Sequence, residues 1–348
     1  MAPAGRPLNA ALVGLGMVAD MHARAVAESG SATLRGVFAR RRSQADEFAG
    51  RHGGLGVYAS FDELIADEAL DFVILATPPD ARRDYVRRLA AAGLPILIEK
   101  PIERDYGRAE EIVELCEAAG APLGVVLQHR MRPAARLLSA RIGAGALGDI
   151  ATVEMRVPWW RDQAYYDAPG RGEYARDGGG VLITQAIHTI DLMLSLCGPV
   201  EEVVAMTTTS ALHRMEAEDF AAAALRFRSG AVGSLTASTT HFPGGADEIV
   251  LNGVRGSASL AADTLSIRPY EGVEEAHCGA SASGGGADPM AFSHAWHQAV
   301  VEDFACAVRA GRAPAITGRS ALAAQALIDA IALSARLKRA VSMEDIHG

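Results

Sequence analysis

The segment Val13-Gly14-Leu15-Gly16-Met17-Val18-Ala19 spells GxGxxA after an apolar run and before an amphipathic one. At a strand-to-helix junction this spacing seats a pyrophosphate on the free amides of a helix N-terminus. Gly14 permits the tight turn, Gly16 lets the backbone approach the ligand, and Ala19 keeps strand and helix close. Met17 and Val18, inside the loop, are expected to line the nucleotide. The next apolar run ends Val37-Phe38-Ala39-Arg40-Arg41-Arg42. A dinucleotide site usually carries an Asp or Glu there for the adenosine ribose. Here Ala39, Arg40 and Arg41 take that place. Because guanidinium binds phosphate in bidentate fashion, a 2′-phosphate is favoured and NADP is preferred over NAD. The alternative makes Arg41 and Arg42 a solvated face at a helix start and leaves only Arg40 near the cofactor.

The elements that must position these residues are readable. In the first third, short apolar runs (Asn9 to Val13, Thr33 to Phe38, Phe72 to Ala76, Ile96 to Glu99, Leu123 to Leu127) alternate with amphipathic stretches such as Asp80 to Ala92 and Tyr106 to Ala119. The last two are followed by Gly93 and Gly120, the residue type favoured just past a helix end. The pattern predicts an α/β Rossmann domain, residues 1–127, with a doubly wound parallel sheet. Beyond it, 128–348 predict an α+β domain with an open, mostly antiparallel sheet built from Ile150 to Val157, Val203 to Thr209, Phe220 to Phe227, Val232 to Thr240 and Glu248 to Leu251, with a turn at Arg228-Ser229-Gly230. Val181 to Leu196 reads as a buried helix. Ser320 to Leu337 reads as an apolar helix that packs back on the first domain. Gly279 to Ala287, GASASGGGA, reads as a mobile loop.

Composition narrows the function classes. The 348 residues carry 33 Lys plus Arg against 42 Asp plus Glu, a net charge of -9, which disfavours nucleic acid as a partner. With 49% hydrophobic and 22% charged residues the chain is that of a globular protein, and its apolar stretches are interrupted short of a membrane span. The N-terminus lacks the layout of a secretory signal, so a cytoplasmic location is expected. Cys116, Cys197, Cys278 and Cys306 show no CxxC spacing, so no metal site is expected.

Together with Gly14 to Ala19, the segments Ala76-Thr77-Pro78-Pro79 and Glu99-Lys100-Pro101 resemble the Gfo/Idh/MocA oxidoreductase family. In the second half, Gly178-Gly179-Gly180 leading into Gln185-Ala186-Ile187-His188-Thr189-Ile190-Asp191 is similar to that family's glycine-rich entry and His-x-x-Asp helix. The resemblance implies a nicotinamide-dependent dehydrogenase or reductase for a sugar, sugar derivative or cyclitol. It also implies a homodimer or homotetramer formed through the second-domain sheet. Trp159-Trp160-Arg161, Tyr165-Tyr166 and Arg171-Gly172 look like the branch that oxidises sugar nucleotides carrying a uronic acid.

Hydride transfer from a secondary alcohol needs one group to take the hydroxyl proton and another to fix the oxygen. By the resemblance, His188 is the acid/base and Lys100 the orienting group, although the two roles could exchange. Asp191, at i+3, orients the histidine or a substrate hydroxyl, or else serves only as a structural cap partner. Thr77, Pro78, Glu99, Lys100 and Gln128 complete the cofactor set. Trp160, Arg161, Tyr165, Arg171, Thr184, Gln185 and His188 are the substrate set, and Tyr166, Gln128, His129 and Arg130 are further substrate-side candidates. Two departures stand out: Thr184 replaces an Asp common four residues before the histidine, and Arg82 replaces a His common after the ATPP element. The competing expectations are glycoside cleavage through transient oxidation by a tightly held NAD, and a catalytically silent sugar-sensing protein.

Overall fold

The computed structural model describes residues 5–279 and 293–347. Of the expected loop from Gly279 to Ala287, only Gly279 lies within the described residues. The chain forms two compact units, one of residues 1–103, 107–128 and 294–321, the other of 104–106, 129–293 and 322–348.

In the first unit the strands are β1 (Leu8–Val13), β2 (Ala32–Phe38), β3 (Gly56–Val57), β4 (Phe72–Leu75), β5 (Ile96–Glu99) and β6 (Leu123–Val126). They form one sheet in the order β3-β2-β1-β4-β5-β6, and its pairings are parallel. The central strands β4 and β5 are buried along their whole length, as a parallel sheet covered on both faces requires. Helices α1 (Ala19–Glu28), α2 (Arg42–Arg51), α3 (Phe61–Ile65), α4 (Arg82–Ala91) and α5 (Tyr106–Ala119) follow successive strands. The segment 294–321, which the sequence pattern assigned to the second half, completes this unit: Phe304 packs on Phe72 of β4, and His294 meets Glu28 at the end of α1.

The second unit contains α6 (Pro133–Gly143), β7 (Ile150–Pro158), α7 (Gln163–Tyr166), α8 (Ile187–Cys197), β8 (Val200–Thr208), β9 (Phe220–Phe227), β10 (Val232–Ser238), β11 (Glu248–Gly253), β12 (Gly256–Ala261), β13 (Thr264–Pro269) and β14 (Glu275–Cys278). Helices α9 (Ala295–Ala310) and α10 (Gly318–Leu337) and strand β15 (Val341–Ser342) close the chain. The sheet order is β14-β13-β12-β11-β7-β10-β9-β8-β15, antiparallel except for β7 beside β10. Strands β12 to β15 escape sequence reading because they are short, and β12, GSASLA, carries mostly small residues. The turn at Gly230, with φ +92, joins β9 to β10 as expected.

Gly318 and Arg319 of α10 touch Leu123 and Glu117 in the first unit, but Leu322 onward belongs to the second. The apolar character of this helix therefore serves mainly the second unit. Ser334 accepts from the Ala205 amide of β8, and Asp329 accepts the Tyr106 amide at 2.8 Å. Burial raises the Asp329 carboxyl to about 6, with Asp105 adding to the rise and the Tyr106 amide opposing it. A raised acid stabilises the fold only below its unfolded value, and that contribution is lost as pH climbs through the folded value. Asp329→Asn keeps an acceptor for Tyr106, so its melting temperature should exceed that of the parent by roughly 2–5 °C at pH 7.5 and match it near pH 4. Thermal melts at the two pH values check this.

Candidate functional site

The glycine loop leaves β1 at Gly14, whose φ of +93 admits glycine readily. A Cβ there would stand 2.7 Å from the main chain of Ala76 and Thr77, so Gly14 also lets the β1 and β4 loops touch. Gly16 has no protein atom within 4 Å of its Cβ direction, which leaves its backbone open to a ligand. The Ala19 amide donates to the Gly16 carbonyl at 3.1 Å, and the first turn of α1 has no side-chain cap, which suits an anion at this helix end. Ala19 is fully buried against the sheet, Met17 is exposed and Val18 partly so.

Two buried polar atoms on the neighbouring strand ends fit a nucleotide. Thr77 Oγ1 and Gln128 Oε1 have no hydrogen-bond partner among the described residues. Pro78 is exposed beside Thr77. The glycine loop, the uncapped helix and these two orphan atoms together suit a nicotinamide dinucleotide.

At the other end of the glycine loop, Ala39 is partly exposed and Arg40, Arg41 and Arg42 are all exposed. Arg42 is spent on Asp46 of its own helix, so it is a solvated surface residue. Arg41 reaches Gln44 at 3.4 Å, and Gln44 donates to the Leu15 carbonyl at 2.7 Å. Arg41 is thereby tied to the glycine loop, along a cleft of about 340 Å³. Arg40 makes no ion pair among the described residues.

Glu99 was expected to face the cofactor. Instead its carboxylate turns inward, accepting His22 Nε2 of α1 at 2.8 Å and the Lys100 amide at 3.0 Å, with His297 Nε2 of α9 at 3.9 Å. Burial opposes its charge, yet the His22 hydrogen bond and the neighbouring His22, His297 and Lys100 hold it at about 2. Burial pushes His297 down to about 3, so it is neutral at pH 7. Lys100, partly exposed, is thus carried on a strand end fixed from beneath. Arg82 fixes the same region from the side. Its buried guanidinium donates to the Thr77 carbonyl (2.7 and 2.9 Å) and to the carbonyls of Glu99 and Pro101, with burial lowering it to about 10. The arginine that departs from the family pattern therefore ties the Thr77 loop to the Lys100 loop.

In the second unit the glycine run serves packing. A Cβ on Gly178 would meet Arg104 at 2.6 Å and one on Gly180 would overlap the Glu218 carbonyl. Half-buried Glu218 accepts the amides of Gly180 and Leu182 and so caps the turn that opens the His188 helix. That turn, Leu182–Ala186, is π-helical. It holds Thr184, which donates to the Gly180 carbonyl at 2.6 Å, and Gln185, which donates to the Tyr165 hydroxyl at 3.3 Å. The guanidinium of Arg161 lies 5.6 Å from the Tyr165 ring centroid and that of Arg171 5.1 Å. The structure thus gathers Arg161, Tyr165, Arg171, Thr184 and Gln185. Trp160 stands apart, with its ring on Phe242 and His213.

Asp191 is buried and bound by Arg130 through Nε at 2.6 Å and Nη2 at 2.5 Å. His188 is buried beside the His129 ring. Sequence reasoning missed His22, His297, Glu218, the His213–Asp219 pair and the Arg132–Asp247 pair. His22 had one signal, a histidine on the buried stripe of Ala19, Ala23 and Val26. His297, Glu218 and the Arg132–Asp247 pair join residues too far apart in the chain to be paired by inspection, and His213 and Asp219, six residues apart, sit in a loop without a readable period.

Residues 8–127 match the family described as the oxidoreductase family with an NAD-binding Rossmann fold, and residues 135–259 match the GFO/IDH/MocA C-terminal domain. Inositol 2-dehydrogenase of Rhizobium meliloti is 29% identical over 95% of this chain and 98% of its own. D-apiose dehydrogenase of Paraburkholderia graminis is 26% identical over 84% of this chain and 78% of its own. Among solved structures, the WlbA dehydrogenase of Bordetella pertussis, in complex with NADH and UDP-GlcNAcA, is similar at 29% identity with a TM-score of 0.83, covering 97% of this chain and 99% of that one.

Thr77→Val separates a ligand-binding role from a structural one. Since the buried hydroxyl has no protein partner, the variant should melt at or slightly above the parent's temperature. Its affinity for the dinucleotide, read by titration calorimetry, should fall roughly 3- to 10-fold for the lost hydrogen bond.

Proposed function

Because the chain belongs to the Gfo/Idh/MocA oxidoreductase family, we propose that it moves a hydride between a nicotinamide and the secondary alcohol carbon of a sugar, sugar derivative or cyclitol. The observation that carries this reading is the lysine held at the end of β5. Glu99 anchors the Lys100 backbone from below and Arg82 clamps the flanking carbonyls, so the ammonium is presented from a fixed point. A bound nicotinamide supplies the hydride acceptor. Lys100 donates a hydrogen bond to the substrate oxygen and stabilises its developing charge. His188 takes the hydroxyl proton in the oxidative direction and returns it in the reductive one. Arg161 and Arg171, flanking Tyr165, suit a substrate that presents a ring and an anionic group. The inositol, apiose and UDP-GlcNAcA in the names of the relatives support a polyhydroxylated substrate.

NADP is the preferred cofactor in this reading. Support comes from the end of β2, which offers exposed Arg40 and loop-tied Arg41 and no carboxylate to repel a phosphate. We further infer that copies of the chain associate through the outer face of the second sheet. There Val204, Met206, Phe220 and Val232 are exposed at 49%, 78%, 37% and 45% on adjacent strands. A monomer in sedimentation would overturn that part.

The test follows nicotinamide absorbance with NADP and NAD, each offered against free sugars, inositols and nucleotide sugars. Lys100→Met should lower turnover at least about 100-fold while leaving cofactor affinity within about twofold. Wild-type turnover in that variant would refute the assignment. Arg40→Ala should weaken NADPH binding about 10-fold or more and NADH binding little, and an equal loss for both would remove the phosphate argument.

A further inference from the structure

The second unit contains a histidine, His129, that the sequence offers as a substrate-side candidate and that the proposed chemistry leaves unused. His129 follows β6 on a short turn and stacks on His188, with ring centroids 4.9 Å apart and planes at 30°. Both rings are buried. Arg132 Nη2 reaches His129 Nε2 at 2.5 Å. Arginine has donors only, so Nε2 must accept, and the ring proton sits on Nδ1. That nitrogen faces Asp247 Oδ2 at 3.6 Å. Asp247 also accepts Arg132 Nη1 at 2.7 Å and the Thr189 hydroxyl at 3.2 Å.

Three consequences follow. Protonating His129 would set an N–H against the Arg132 N–H, so this imidazole is locked neutral. The Arg132 charge is matched by Asp247, so the pair adds no net charge. Thr189, next to His188 in α8, hangs on the same carboxylate, which sets the register of the catalytic helix against the His129 ring. Arg130, next in sequence to His129, pairs with Asp191 of the His188 helix. From β7, β11 and α6, the elements packed on α8, the buried side chains are apolar, among them Met155, Ile249, Leu251 and Leu138.

We propose that His129 is a positioning residue for His188: fixed as a neutral tautomer by Arg132 and Asp247, it holds the His188 ring flat and offers its π face to the positive charge that His188 acquires with the substrate proton. In that step the substrate O–H bond breaks and an N–H bond forms on His188. The oxygen electron pair becomes the second C–O bond as hydride leaves for the nicotinamide. Thr184, where the family often has Asp, brings no negative charge to this histidine, and the aromatic face supplies the stabilisation in its place. The proposal rests on the assignment of His188 as the proton acceptor.

The test compares His129→Gln, which keeps an acceptor for Arg132 and removes the ring, with His129→Phe, which keeps the ring face and removes the acceptor. The readout is the pH titration of the His188 Cε1–H resonance in 13C-histidine-labelled protein with NADP bound and no substrate, the peak being assigned by its loss in His188→Gln. His129→Gln should fold normally and titrate roughly 0.5–1 pH unit below the parent, and His129→Phe should restore most of that shift. A structural role gives the opposite order, because only Gln satisfies Arg132. A parental titration in His129→Gln overturns the proposal, and this variant decides alone if His129→Phe does not fold. Full turnover by His188→Gln overturns the underlying assignment and the proposal with it, and activity reads this separately from the titration.

Discussion

A carboxylate buried at the carboxyl end of a parallel strand must be compensated where it stands, because moving an ionised group out of water costs several kcal/mol. Glu99 is such a group, and the architecture of the first unit follows from its compensation. His22 comes from the helix that opens on the glycine loop, and the Lys100 amide from the next residue. The same hydrogen bonds that relieve the charge register the nucleotide loop against the strand end that carries the lysine. Arg82 adds a second tie of the same kind, a buried cation resolved by three carbonyls.

The second unit solves the corresponding problem with closed ion pairs. Arg132 with Asp247 and Arg130 with Asp191 each bring a full charge into the interior and cancel it locally. Such pairs add little net stability compared with apolar packing but demand one geometry. Under the proposed role of His188 that demand is useful, since a proton acceptor works only within hydrogen-bond reach of its substrate. Glu218, capping the π-helical entry, serves the same end through main-chain amides.

Much of the fold was legible because it is written locally. The strand–glycine–helix junction, the glycines after α4 and α5, and the alternation along β7 to β11 are short-range patterns that one pass along the chain recovers. The strands after β11 were not legible, since they run only two to six residues and offer too few positions to show a period. The site divides along the same line. Gly14, Gly16, Thr77 and the exposed arginines after β2 are read from type and position. The inward turn of Glu99, the commitment of Asp191 to Arg130 and the partnership of Arg132 with Asp247, 115 residues away, depend on contacts that only the folded chain creates. Arg82 was visible as a departure from the family pattern, and its meaning appeared only with the three carbonyls it joins.

The first unit is not a continuous stretch of chain: residues 294–321 return to it. On the ribosome, the strands β1 to β6 therefore emerge long before Phe304 can cover Phe72 or His297 can approach Glu99. The nascent nucleotide half must wait, partly uncovered, through the synthesis of roughly 165 intervening residues, some ten to thirty seconds at common elongation rates. That interval is when this chain most needs a chaperone, and it is why a gene cut after the sixth strand would encode an incomplete nucleotide-binding half.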